Sequence, residues 1–462
     1  MIVKASHHGE GLANTAVSIF TEALAQCSVE QAFLSKLRSG SGDRLYAFIL
    51  HGAPDEMPVE IDLAGISRVV VIAAGKGAAT MLDGLLHGIN LPSSCELAGI
   101  VVAPERPSVL PEGIEYFAGG HPIPTSESFA AARVALALVE QAAADAERTF
   151  CFFLISGGAS AMMELPLDEA ISLEDTVALY RALVHSGASI ADINCVRKHF
   201  SAIKGGRLGM AAASMPNLTV LVSDVPAGQL DALASGPTLP DTSTRMQCRE
   251  VLDRFELLPQ LPASVRRFFD SPELPETPKP GAFPARAITL LSSIDLAESA
   301  RVAAEALGFT TVIDDAPDDW DYRRAAEYLL TRLRDLHREH GKVCLVSPGE
   351  VTVTVSAETA HHAKPGVGGR NQHFALYAAT LLESSDRPAV IFSAGSDGVD
   401  GNSLLAGAVV DYDSVHGAAR VRSAHDALQR FDSSTFLSGI EATIHTGPTG
   451  NNLRDLRLLL VE

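Results

Sequence analysis

The sequence predicts an α/β protein of two domains, and three observations predict it. Short apolar runs alternate with stretches of helical spacing, which argues for sheets with helices packed on them. The alternation breaks once, where Pro259, Pro262, Pro272, Pro275, Pro278, Pro280 and Pro284 crowd residues 258–285, and then restarts. Several apolar runs end in glycines just where the next helix begins, as in Gly75-Lys76-Gly77 and Ser156-Gly157-Gly158. The pattern divides the chain into an N-terminal domain over 1–257, a Pro-rich linker over 258–285 and a C-terminal domain over 286–462.

Residues 11–37 have helical spacing. A strand over 69–74, a helix from 76 to about 87 and a strand over 99–103 follow. A helix over 126–146 leads to a strand over 152–155, and further helical segments to a strand over 218–222. Such alternation predicts a parallel sheet covered on both faces. Beyond the prolines come a strand over 287–293, a helix over 296–307, a strand over 310–314 and a helix over 320–340. Residues 342–346 and 350–355 are expected to pair as a hairpin around Pro348-Gly349. A helix over 371–382 leads to a strand over 389–393. The crevice between two such domains is the expected place for a two-substrate site.

The 462 residues suit two or three domains, and 47% apolar content leaves material for large cores. A formal net charge of −20 argues against an extended nucleic-acid surface, although a local cationic cluster can reverse the field inside a cleft. Met1 to His8 lack the apolar core of a signal peptide, and no apolar run is long enough to span a bilayer. The six cysteines are scattered without a CxxC pair, which suits reduced, buried thiols. The expectations are a cytoplasmic location, no nucleic-acid partner and no membrane partner.

A buried strand that feeds a helix through glycines presents backbone N–H groups and a positive dipole end, hardware that suits phosphate. Gly75-Lys76-Gly77-Ala78-Ala79-Thr80 departs from the dinucleotide fingerprint, because Thr80 stands where the third Gly or Ala should pack. It is no P-loop either, lacking the upstream Gly. Lys76 is either solvated or placed to hold an anion jointly with the backbone. Ser156-Gly157-Gly158-Ala159-Ser160 has the strand-turn-helix order of a nucleophile elbow, but Met162 replaces the closing Gly. A phosphate-cradling turn fits better, with the Ser156 and Ser160 hydroxyls supplementing backbone donors. Arg197, Lys198, Lys204 and Arg207 lie with His199 between Asn194 and Arg207, as a solvated helix face or as an anion patch completed by Gly205-Gly206. Asp224 follows an apolar strand, a natural position for a metal ligand or a base. Asp397-Gly398-Val399-Asp400-Gly401 repeats that theme, although ordinary turns also use Asp and Gly. Gly366 to Asn371 form a third glycine cluster, and His361-His362 is read as exposed loop.

With these motifs together, the chain resembles the class II glycerate kinases, the MOFRL or tartrate-utilisation-type family whose members often carry the label hydroxypyruvate reductase. The likeness runs over nearly the whole length. It includes GGHPIP (119–124), LISGGASA (154–161), NCVRKHFSAIKGGRL (194–208), SDVP with ASGPT (223–238), PGEVTV (348–353), GGRNQ (369–372 with its flanking Gly368), DGVDG (397–401) and TGPTG (446–450). The resemblance implies an N-terminal Rossmann-like parallel sheet, a C-terminal α/β/α domain and an active site in the interdomain cleft. It implies transfer of the γ-phosphoryl of ATP to a hydroxyl of glycerate with Mg²⁺, and allows a homodimer. By motif, Lys76, Arg370 and Asp397 are the catalytic candidates, with Asp397 as base or, with Asp224, as metal ligand. Ser156, Gly157, Gly158, Ser160 and Lys204 are candidates for the nucleotide phosphates, and Arg197, Lys198 and Asn371 for the acceptor. Phosphoryl transfer needs charge neutralisation, alignment and removal of a hydroxyl proton, which this set can supply.

The chain departs from the family pattern at Pro348, where the family has Gly, and at His373, where it has an acid. It also departs at Leu404 and Gly228, where carboxylates are lost, and at Asn451, where Thr is usual. The lost carboxylates fall in segments expected to line the cleft, so drift and a changed acceptor are both open. A nicotinamide-dependent hydroxypyruvate reductase and a catalytically silent ligand-binding paralogue are the alternatives.

Overall fold

The computed structural model describes residues 4–5, 11–40, 44–49, 58–226, 229–355 and 366–462. Gly228 and His361-His362 lie outside the described residues. The chain divides into two compact units, one of residues Val29–Leu290 and the other of residues up to Ser28 together with Leu291–Glu462.

The unit of residues Val29–Leu290 is built on a six-stranded sheet. Its order is Ala287–Leu291, Asn217–Val222, Thr149–Ser156, Arg68–Ala74, Glu96–Ala103 and Ile114–Ala118. The pairings along the five strands from Asn217–Val222 to Ile114–Ala118 are all parallel. Every residue of Thr149–Ser156 is buried, as are Val69 to Ala74, so helices cover both faces. One cover is the helix Ser126–Ala143, which starts at a capping box between Thr125 and Ser128. Chain order moves outward from Arg68–Ala74 through Glu96–Ala103 to Ile114–Ala118, then returns to Thr149–Ser156 on the other side of Arg68–Ala74. The topological switch point of the sheet therefore lies between Arg68–Ala74 and Thr149–Ser156, where crevices form at strand carboxyl ends.

The prolines of 258–285 do not leave that segment without structure. A 3-10 turn at Leu258–Gln260 and a helix at Ala263–Asp270 occupy it. Val265, Phe269 and Leu274 are buried with Phe200 and Leu179 of the helices Ile190–Phe200 and Leu173–His185. Pro262 sits at the N-cap of the helix and Pro272 beyond its end, positions where proline does not break a helix.

The other unit holds a seven-stranded sheet in the order Lys4–Ala5, Thr443–His445, Gly407–Asp411, Val390–Gly395, Asp455–Val461, Val343–Pro348 and Thr310–Ile313. Only Thr310–Ile313 with Val343–Pro348 is a parallel pair among its described pairings; the rest are antiparallel. Val343, Leu345, Ile391 and Leu459 point to one face, against the helices Tyr322–His340, Arg370–Leu381 and Ala418–Gln429. Phe392 points the other way and meets Phe20 of the helix Leu12–Gln26, ring centroids 4.9 Å apart. This is a three-layer α/β/α unit. The helical spacing over 11–37 is two helices, Leu12–Gln26 and Val29–Lys36, which belong to different units. The expected hairpin over 342–355 is a correction: Val343–Pro348 takes as its antiparallel neighbour the C-terminal strand Asp455–Val461, and Thr352 makes one isolated bridge to Asp321. Arg457, buried on that C-terminal strand, donates to the carbonyls of Pro348 and Gly349, which turns the chain at 348–349 away from a hairpin.

No helix among the described residues is long and apolar enough to cross a membrane. All six cysteines are free, and burial pushes the Cys344 thiol up to about 12.

Candidate active site

At the switch point, two glycine turns interlock. The N–H of Lys76 donates to the Gly157 carbonyl at 2.9 Å, and the N–H of Gly77 donates to Ser156 Oγ at 2.9 Å. Gly75 has φ +122, and a Cβ there would lie 2.3 Å from Ser156 Oγ, so the crossing admits only glycine. The N–H groups expected to cradle phosphate at Gly75–Gly77 are thus committed, that of Gly75 to the Val102 carbonyl and those of Lys76 and Gly77 to the neighbouring turn, where Ser156 Oγ accepts. Ser160 Oγ is likewise paired with Ser235 Oγ at 3.0 Å. Free donors lie one step on: the N–H groups of Gly158, Ala159 and Ser160 reach no acceptor among the described residues.

The Lys76 side chain is exposed and makes no ion pair among the described residues. A Cβ on Gly158 would meet His121 Cδ2 at 3.2 Å and Lys76 Cγ at 3.5 Å, so both side chains border the turn. Desolvation, then the charges of Lys76 and Arg197, hold the His121 imidazole below its ordinary pKa. On the adjacent strand end, Asp224 lies against Gly157, whose Cβ would be 2.1 Å from Oδ2. Lys76, the Gly157-Gly158 turn and Asp224 thus follow three neighbouring parallel strands.

The cations between Asn194 and Arg207 separate into two kinds. Lys198 is buried, with Nζ 2.8 Å from Asp231 and 2.9 Å from Asp241. Lys204 is fully buried, 2.7 Å from Glu164 Oε2 and 3.2 Å from the Met163 carbonyl. Arg207 donates to the carbonyls of Lys198 and Glu276, and His199 bonds Glu276 at 3.0 Å. These residues tie the fold together: Lys198 and Lys204, the expected anion binders, each already face a carboxylate in a buried setting. Arg197 differs. Its side chain stacks over the Tyr180 ring at 4.3 Å and makes no hydrogen bond or ion pair among the described residues.

In the other unit, Arg370 opens the helix Arg370–Leu381 and its guanidinium is clamped by Asp455 and Glu350. Burial opposes its charge, but Asp455 and Glu350 more than offset this and raise its pKa. Asn371 does not reach outward: its Oδ1 accepts from Ser393 Oγ at 2.6 Å and its Nδ2 donates to Asp400. Asp400 receives the backbone N–H groups of Asn371 and Gln372 at 3.0 and 2.8 Å, capping the helix. Burial pushes the Asp400 carboxyl up to about 6 against those bonds. Asp397 is half-buried and accepts the Val399 N–H at 3.0 Å. A Cβ on Gly395 would meet Asp397 Oδ1 at 3.1 Å and Asp455 Oδ1 at 3.4 Å, so the Arg370 clamp and Asp397 share one locality.

The departures sort by position. His373 lies on the buried face of its helix, 2% exposed, between Tyr322 and Phe431; it belongs to the core and lines no site. Leu404 is 90% exposed. Asn451 Nδ2 donates to the Cys27 carbonyl at 2.6 Å. Sequence reasoning assigned no role to His121, Glu350, Asp400 or Asp455. The first three sit inside quoted motifs, a usable signal; Asp455 depends on a strand pairing that no local pattern announced.

Among the described residues no group of three His, Cys, Asp or Glu could hold a metal. Mg²⁺ commonly takes only one or two protein carboxylates, with phosphate oxygens and waters completing its shell. Asp224 beside the Gly157 turn and the half-buried Asp397 each fit that demand singly.

Two protein-family profiles match the chain, the domain of unknown function DUF4147 over residues 15–270 and the MOFRL family over residues 343–455. A D-glycerate 2-kinase of Thermotoga maritima is 33% identical over 403 residues, covering 86% of this chain and 91% of its own. A protein of Agrobacterium vitis that carries a hydroxypyruvate reductase name is also 33% identical, over 85% of this chain and 87% of its own. The crystal structure of a glycerate kinase from Thermotoga maritima matches with a TM-score of 0.78 at 29% identity, over 98% of this chain and 100% of that one.

Proposed function

This chain belongs to the glycerate 2-kinase family with its DUF4147 and MOFRL regions, and on that premise we propose that it transfers the γ-phosphoryl group of ATP to a hydroxyl of glycerate or a close hydroxy acid. The observation that carries this reading is the switch-point turn. There Lys76 and Arg197, cations without a carboxylate partner among the described residues, accompany the free N–H groups of Gly158 to Ser160. Such a turn suits anions of high charge density.

Lys76 and the three N–H groups hold phosphate oxygens, and Lys76 neutralises the charge that spreads over the transferring group. Arg370, fixed by Asp455 and Glu350, keeps Nη1 uncommitted among the described residues and offers it to an anionic group of a substrate. Asp397 receives the acceptor hydroxyl proton or holds Mg²⁺; Asp224 is the second candidate ligand. A bound Mg²⁺ supplies charge neutralisation across the phosphates. A cytoplasmic location belongs to the same reading, supported by the free, mostly buried cysteines.

The test is ADP release measured by a coupled assay over a panel of hydroxy acids, D-glycerate first. Release that depends on D-glycerate is the expected result. NADH oxidation by hydroxypyruvate without coupling enzymes would overturn it in favour of the reductase. ATP binding with no acceptor-dependent release would make the chain a silent paralogue. Light scattering on the same preparation decides whether it acts as one chain or two.

A further inference from the structure

We infer that Tyr180 is a positioning residue that presents Arg197 to the carboxylate of the acceptor, and that a buried Glu164–Lys204 pair keeps Arg197 free for that task. The inference rests on the kinase reading and specifies one half of its substrate site.

Arg197 is nine-tenths buried, and its Nε has no hydrogen-bond partner. Leaving a buried guanidinium N–H unpaired is costly unless a ligand completes it. The guanidinium instead lies 4.3 Å from the centre of the Tyr180 ring, a cation–π stack that fixes its plane and leaves its fork open. An Arg fork fixed in plane matches a planar carboxylate bidentately.

Tyr180 is itself held at both ends of its polarity. It is fully buried, and its hydroxyl donates to Glu164 Oε2, with the Ser160 carbonyl a second acceptor at 3.2 Å. The ring that supports Arg197 is thereby tied to the turn carrying the free N–H groups. Glu164, the carboxylate that Tyr180 bonds, is fully buried and already paired with Lys204 at 2.7 Å. That pair is neutral overall, so it leaves the Arg197 charge without a counter-ion. The Arg197 charge is felt at Lys204 and at His121, on the border of the turn.

The experiment compares the full-length chain with Tyr180→Leu, Tyr180→Phe, Arg197→Ala and the double variant Tyr180→Leu/Arg197→Ala. D-glycerate binding by calorimetry and the KM values for D-glycerate and ATP are measured for each. Tyr180→Leu is expected to weaken D-glycerate about tenfold, in Kd and in KM, while leaving the ATP KM unchanged. Tyr180→Phe keeps the stack and is expected to retain most of the affinity. The double variant is expected to match Arg197→Ala, because a positioning residue has nothing left to position. Equal weakening of ATP and D-glycerate, additive losses in the double variant, or unchanged D-glycerate affinity in Tyr180→Leu would overturn the inference while leaving the kinase reading in place. If the unmodified chain binds D-glycerate but releases no ADP, the kinase reading fails and the binding series alone decides the inference. If the unmodified chain does not bind D-glycerate, both fail. Should Tyr180→Leu not fold, Tyr180→Phe and Arg197→Lys replace it. Full affinity in the first with weakened D-glycerate in the second supports the stack and fork; full affinity in both overturns it.

Discussion

The guanidinium of Arg370 closes on the carboxylate of Asp455 through two parallel hydrogen bonds, Nε to Oδ2 at 2.5 Å and Nη2 to Oδ1 at 3.1 Å. Asp455 is 1% exposed, so this bond is made by a carboxylate with little water to fall back on. Arg370→Ala should therefore lose stability as well as turnover, on the order of 3 kcal/mol from the carboxylate left unpaired. Arg370→Lys should recover part of the stability but little of the rate, because an ammonium cannot reproduce the fork. Urea unfolding beside ADP release checks both. Full stability with lost turnover in Arg370→Ala would mean that the clamp is not structural.

Lys76 is the opposite case. It is exposed and has no partner to orphan, so Lys76→Ala should leave the unfolding midpoint unchanged. Turnover should fall on the order of 100-fold, the scale for removing one donor to a developing charge. A rate within a few-fold of the parent, measured at saturating ATP and acceptor, would remove Lys76 from the reaction.

The glycines of the interlocked turns should separate stability from function. A Cβ on Gly157 would collide with the Asp224 carboxylate, which can swing aside, so Gly157→Ala should fold but bind Mg²⁺·ATP more weakly if Asp224 serves the metal. A Cβ on Gly75 would meet the Ser156 backbone carbonyl at 2.5 Å at a φ of +122, and neither can yield cheaply. Gly75→Ala should cost roughly 1–3 kcal/mol. The two variants behaving alike in thermal melts and nucleotide titration would refute the distinction.

Much of the fold was legible because the central strands are buried on both faces and read as unbroken apolar runs, as in Phe152 to Ile155. The turn glycines were legible because positive φ and close approach leave no alternative residue. Roles for the charged residues were less so. Lys198, Lys204 and Arg370 look like surface cations in the chain, but each meets a carboxylate dozens of residues away, brought close by sheet order and helix packing. The same limit applies to the helix Leu12–Gln26, whose apolar face does not say which sheet it will cover. It also applies to the hairpin expected around Gly349, because pairing of Val343–Pro348 with the last strand is set by contacts more than a hundred residues apart.

His373 offers a pH-dependent test of the difference between core and site. Its ring stacks on Phe431 at 5.5 Å, meets Tyr322 edge-on at 4.7 Å, and leaves Nε2 buried without a partner. Burial, then the nearby Arg323 charge, pushes its pKa down from 6.5 to about 4, against a smaller opposing pull from Asp321. Between those values the unfolded chain takes up a proton that the folded chain refuses. The stabilisation from a neutral imidazole is therefore complete above pH 6.5 and is lost as pH falls through about 4, a change on the order of 3 kcal/mol. His373→Phe keeps the aromatic contacts and removes both the titration and the orphaned nitrogen. Its unfolding free energy near neutral pH should be at or above that of the parent, within about 1 kcal/mol for a near-isosteric core exchange. Its loss of stability on acidification should be correspondingly shallower, as measured by urea unfolding at a series of pH values. Parallel acid limbs in parent and variant would show that His373 is not the group titrating, and a loss of turnover at neutral pH with stability intact would return it to the active site.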